Sequence, residues 1–130
     1  MVMRIAAGVL LLLGLANAAS AQPSLTPLHP GDVITGKLRV VKTRHPSGTL
    51  IVAYQLVSAR PYTIEGDDFC DKDQALTTFH LVTMTKPLQR TLQRELGKTC
   101  SVKALDVMCS ETAWHIGDAV VFQWELVPAQ

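Results

Sequence analysis

Thr85-Lys86-Pro87-Leu88-Gln89-Arg90-Thr91-Leu92-Gln93-Arg94-Glu95-Leu96-Gly97 is the stretch whose reading decides the fold. Leu88, Leu92 and Leu96 recur at spacing four, which gives a helix one apolar stripe. Gln89, Arg90, Gln93 and Arg94 fill the wet sides. Thr85 is placed to cap the first turn, and Pro87 sits where a missing N–H costs nothing. Gly97 ends the helix as a left-handed cap. Lys98, just beyond it, suits the negative end of the helix dipole.

Five stretches around this helix alternate with period two, the signature of strands. Asp32–Thr43 has Ile34, Leu38 and Val40 on one side and Lys37, Arg39 and Val41 on the other, with Gly36 marking a bend or bulge. His45-Pro46-Ser47-Gly48 is a turn. Thr49–Ser58 follows as the second arm of a hairpin. Leu50, Val52, Tyr54 and Leu56 form one face, while Ile51, Ala53 and Val57 make the other partly apolar, as in a covered strand. Arg60-Pro61-Tyr62 ends or bends it. Thr77–Thr85, Thr99–Met108 and Ala119–Val127 are three further strands. The apolar phase shifts after Ala104 to Leu105 and Val107, which points to a bulge. In the last strand Val120, Phe122, Trp124 and Leu126 face one way, Gln123 and Glu125 the other.

Three strands, one helix and two strands is the order of a small five-stranded OB-like Greek-key barrel, a mainly β fold with one helix. An open meander packed on one helix is the alternative. The barrel domain is expected over 32–128, after a Pro-rich extended lead-in over 22–31.

Residues 1–21 carry a secretory signal: Arg4, an apolar run over Ile5–Leu15, and small residues up to Ala19-Ser20-Ala21. Ala16-Asn17-Ala18 is a second possible cut. The run is about half of the ~20 residues that cross a bilayer, so no membrane span is expected after cleavage. Cleavage places the mature chain in a periplasm or outside the cell. It also removes Arg4 from the 12 Lys and Arg, leaving them level with the 11 Asp and Glu. A neutral chain with few aromatics lacks the basic excess and stacking platforms of nucleic-acid binders.

Export puts Cys70, Cys100 and Cys109 where disulfides persist. Three cysteines allow three pairings and at most one internal bridge. Cys100, flanked by Val102 and Ala104, reads as a buried small hydrophobe. Cys70 in a loop and Cys109 at a strand end are the freer pair. No C-x-x-C spacing of a zinc site occurs.

Four places could carry chemistry. Asp67, Asp68, Asp71 and Asp73 offer the hard oxygen ligands calcium prefers, though not at EF-hand spacing. They would make a divalent-cation-binding envelope protein. Trp114 and His115 could form a binding pair, in the loop of an OB barrel that helps make the ligand face. Lys37, Arg39, Lys42 and Arg44 could meet an anionic glycan, a lipid headgroup or an acidic protein. Cys109 and His115, a loop apart, could form a thiol/His-dependent enzyme. No G-x-S-x-G elbow or helical zinc motif is present, and no cofactor is expected.

Leu92 with Leu96-Gly97-Lys98, the Val102–Leu105 strand, Thr112 and His115, and upstream Tyr54-Gln55-Leu56 with Arg60-Pro61, are the short motifs of a family resemblance. The chain resembles a family of small exported bacterial domains of unknown function with an OB-like barrel. It departs from that family in having Thr63 where a Cys is usual, and His115 alone in place of a His-rich stretch. The resemblance implies an exported small domain and no activity. The expectation is a non-enzymatic binding module for an envelope component, a small molecule or a protein. Trp114, His115, Lys37 and Arg39 would bind the ligand, and Cys70–Cys109 would form the bridge.

Overall fold

A hairpin of two long strands organises the sheet. In the computed structural model, which describes residue 14 and residues 24–128, β2 (Val33–Arg44) pairs antiparallel with β3 (Leu50–Thr63) through nine registered pairs, from Gly36↔Ser58 to Arg44↔Leu50. β4 (Leu76–Leu81) adds to the far side of β3, and β5 (Thr99–Ala104) to the far side of β2. The stretch 1–21, expected to be an export signal, lies, Gly14 apart, outside the described residues.

The helix forms where the leucine spacing placed it, as α1 (Lys86–Glu95). Thr85 Oγ1 accepts from the Leu88 N–H, and Gly97 has φ 79°. Leu92 is fully buried in the core, with Leu88 and Leu96 packed against its edge. The helix end is then tied to β2: the Gly97 N–H donates to Leu38 O at 2.8 Å. Ile34, Leu38, Leu56, Phe79 and Val102, all fully buried, share that core.

The fold is mainly β with one helix, as expected, and its strands form an open, mixed sheet of eight rather than five. Part of the reason is short strands that sequence alternation cannot register. β1 (Thr26–Pro27), inside the Pro-rich lead-in, pairs in parallel with β3 at Tyr62 and Thr63. β6 (Met108–Cys109) pairs with β7 (Ala119–Val121).

The other part is a break in the last strand. β7 pairs in parallel with β4, whereas β8 (Trp124–Val127) pairs antiparallel with β5, at the opposite flank. Between them the Phe122 and Gln123 N–H groups both donate to Asp106 Oδ1, at 2.8 and 3.0 Å. This carboxylate replaces a strand partner and resets the alternation. Ala119 and Val121 join the core before the break, and Trp124 after it. Gly36 is also corrected. It is a regular ladder position, and a Cβ there would run into the Val57 carbonyl. The irregularity lies instead in β3 between Val57 and Tyr62, which carries the strand past Pro61.

Cys70 and Cys109 are bridged, with Cα atoms 5.7 Å apart, so the acidic loop is fastened to β6. Closing a loop of 39 residues in the unfolded chain is worth about 4 kcal/mol in the chain-entropy account. Cys100 is the free thiol; it is half-buried rather than buried, and burial first, then nearby Glu95, push its pKa up.

Candidate functional site

The turn at the end of the hairpin holds a histidine ring in a fixed plane. His45 N–H donates to Thr49 O, and Gly48, at φ 91°, donates back to His45 O. The Ser47 N–H donates to His45 Nδ1 at 3.0 Å, which leaves the ring proton on Nε2. The indole of Trp114 lies on this ring, centroids 3.9 Å apart and planes 15° from parallel.

Trp114 comes from the segment between β6 and β7, which is tied down along its length. Trp114 N–H donates to Thr112 Oγ1, and Ser110 Oγ donates to Gly117 O. Asp118 Oδ2 accepts from the Thr77 and Thr78 amides. Ile116 is held at both ends of its peptide: its N–H donates to His80 Nδ1 at 3.0 Å, and its carbonyl accepts from Gln55 Nε2 at 2.7 Å. Gln55 in turn accepts from Arg39 Nε at 2.8 Å.

Arg39, Gln55 and His80 form one row across β2, β3 and β4, on the sheet face away from the core. Ile116 is anchored above that row and Trp114 at the hairpin turn. Ala53 and Ile51, on this same face between the row and the turn, are only 1% and 8% exposed although they lie outside the core cluster. The result is a clasp: a loop laid over a sheet face and closed by a ring stack, with Trp114 still 46% exposed.

The expected site residues fare differently. Trp114 and Arg39 belong to the clasp. His115 does not face outward with Trp114: its Nδ1 accepts from Glu111 N–H, and its ring meets Phe122 edge-on at 5.7 Å. Lys37 lies on the Arg39 face but roughly 25 Å along the strand from His45, at ~3.3 Å per residue. Asp67, Asp68, Asp71 and Asp73 do not converge. Among the described residues, the one group of three metal-capable side chains with ligand atoms mutually within 4.8 Å is Asp67, Cys70 and Cys109. Two of these three are the bridge, and Asp67 Oδ1 is used by the Phe69 amide. Cys109, being bridged, has no thiol to pair with His115.

His45, Gln55 and His80 escaped sequence reasoning. Gln55 had a readable signal, a lone amide inside the apolar run of Leu50–Val57. His45 had none beyond its turn. All three loop-side histidines, His45, His80 and His115, spend their Nδ1 lone pair on a backbone N–H. Each therefore carries its proton on Nε2, which suits donation and stacking rather than metal ligation or proton abstraction. Burial, reinforced by His115, holds the His80 pKa down at about 4.

Two shallow clefts lie away from the clasp, one between Pro27–Pro30 and Thr63–Glu65, the other beside Cys100. Neither gathers aromatic and charged groups as the clasp does. No helix among the described residues is long and apolar enough to cross a membrane. Compared with known protein families, with curated proteins and with solved structures, the chain shows no match.

Proposed function

We propose that this protein is an exported, non-enzymatic binding module of OB-like design, whose clasp takes an anionic ligand carrying a flat ring or sugar face. The carrying observation is the Trp114–His45 stack, half-exposed at the end of a sheet face that presents Arg39 and, further along, Lys37. Among the described residues the sole ion pair is His29–Asp32, so neither cation is neutralised by an acid. An exposed indole on a preorganised loop offers a stacking face at little entropic cost.

The OB-like part of the reading is supported by the strand order, by the single helix between β4 and β5, and by the clasp itself. In OB folds the turn joining the first two strands and the loop before the last strand flank the ligand face. An OB fold is also a partly open barrel, so an open sheet does not oppose it. The bridge between Cys70 and Cys109 supports export, because disulfides persist in oxidising compartments.

The test is retention of envelope extract components on the immobilised domain, comparing wild type with Trp114→Ala and His45→Ala. Both variants should keep the wild-type melting temperature and lose the retained components, with at least about tenfold weaker binding. Identical retention by all three proteins would remove the clasp as the binding site.

A further inference from the structure

The hairpin outruns the sheet that supports it. β5 pairs with β2 only as far as Lys37, with Leu38 tied to the helix end, and β4 pairs with β3 only as far as Tyr54. Residues 39–44 and 50–53 therefore form a two-stranded arm, held by each other and, on one face, by the clasp. The other face is the continuation of the core face, by the alternation of Leu38, Val40, Lys42 and Arg44 against Leu56, Tyr54, Val52 and Leu50. Beyond Tyr54 none of the described residues covers it. Leu50 is 55% exposed and Val52 45%, and Val40 beside them is exposed too. Met84, also exposed, follows β4 where that strand ends opposite Tyr54.

This bare face pairs aliphatic with cation. Lys42 stands directly across from Val52, and Arg44 across from Leu50. From Val33 to Ile64 there is no Asp or Glu at all, against Lys37, Arg39, Lys42, Arg44 and Arg60. The acids collect at the other end of β3, in Glu65, Asp67, Asp68, Asp71 and Asp73.

From this we infer that the Val40/Lys42/Arg44/Leu50/Val52 face of the arm docks on an anionic phospholipid bilayer. Shallow aliphatics seat at the acyl boundary while long cationic stems reach the headgroups. The acidic end of the molecule is repelled by the same surface, which orients the arm towards it. A folded acidic protein fits less well. A stable protein interface needs about 800 Å² from each partner, more than the few side chains on one face of this arm supply. The inference does not rest on the clasp, which uses the opposite face of the same hairpin.

The test is sedimentation with vesicles at low ionic strength, using the chain from Gln22, which keeps every described strand and the helix without the apolar leader. One set of vesicles is phosphatidylcholine alone; the other contains roughly one-third phosphatidylglycerol. Wild type should sediment with the anionic vesicles and stay in solution with the neutral ones. Leu50→Ser with Val52→Ser, and separately Lys42→Gln with Arg44→Gln, should each weaken binding about tenfold or more, with wild-type circular dichroism. All four positions are exposed, and the two variants are independent, so misfolding of one leaves the other to decide. No sedimentation of wild type with anionic vesicles overturns the inference. So does binding that neither variant weakens. Retention on soluble polyglutamate that survives Leu50→Ser with Val52→Ser, while vesicle binding is absent, assigns the face to an acidic polypeptide instead. None of these failures touches the clasp.

Discussion

His80 shows how one side chain fastens a loop. Its Nδ1 lone pair receives the Ile116 N–H, and burial keeps the ring neutral by holding its pKa near 4 against an ordinary 6.5. Between those two values the unfolded chain binds more protons than the folded one. Stability is therefore fully present above pH 6.5 and is lost as pH falls towards 4. The ring is only partly buried, and solvent screening reduces the effect to about 1–2 kcal/mol. Urea melts at pH 7 and pH 4.5 should show wild type losing that much more than His80→Gln, whose amide does not titrate. Equal losses in the two proteins would mean that His80 does not hold the loop. The neighbouring Gln55 is the more economical device, since one amide joins Arg39 to the Ile116 carbonyl.

At the scale of elements, the last strand carries the main lesson. Its two pieces serve opposite flanks of the sheet because Asp106 supplies what a neighbouring strand would have supplied. Asp106→Ala leaves two amides without that acceptor, which costs about 1–3 kcal/mol. Asp106→Asn keeps an acceptor oxygen and should stay close to wild type. Amide exchange at Phe122 and Gln123 reads the difference directly: faster in the alanine variant, near wild type in the asparagine one.

The helix, the hairpin and the three later strand regions were all legible in the sequence, because each runs long enough to show its period. The break at Phe122–Gln123 was not. It depends on a carboxylate sixteen positions upstream, and alternation within a strand holds no trace of it. The two-residue strands β1 and β6 are too short to show any period at all. The same limit hid half of the clasp. Trp114 stood out as an aromatic in a polar loop, whereas His45 in a His-Pro-Ser-Gly turn gave no hint of a partner some seventy positions away.

Across the whole molecule, charge and aromatic groups are sorted along the hairpin. One end has Lys42, Arg44, the ring stack and the bare arm; the other has the acidic loop, fastened by Cys70–Cys109. At ~3.3 Å per residue, the 14 residues of β3 separate these ends by up to roughly 45 Å. An anionic ligand should then be felt at one end only. The two tryptophans make a built-in pair of reporters. Trp114 is half-exposed in the clasp, while the Trp124 indole is buried and donates to Val82 O at 2.9 Å.

The most direct measurement is a proton–nitrogen correlation spectrum of the labelled domain during titration with a uronic-acid oligosaccharide. Binding at the clasp should move the Trp114 Nε1–H resonance, together with the backbone amides of His45 and Ile116. The Trp124 Nε1–H and the amides of 65–73 should stay in place. A titration in which Trp114 stays still, or in which shifts gather at the acidic loop instead, would contradict the clasp as the binding site.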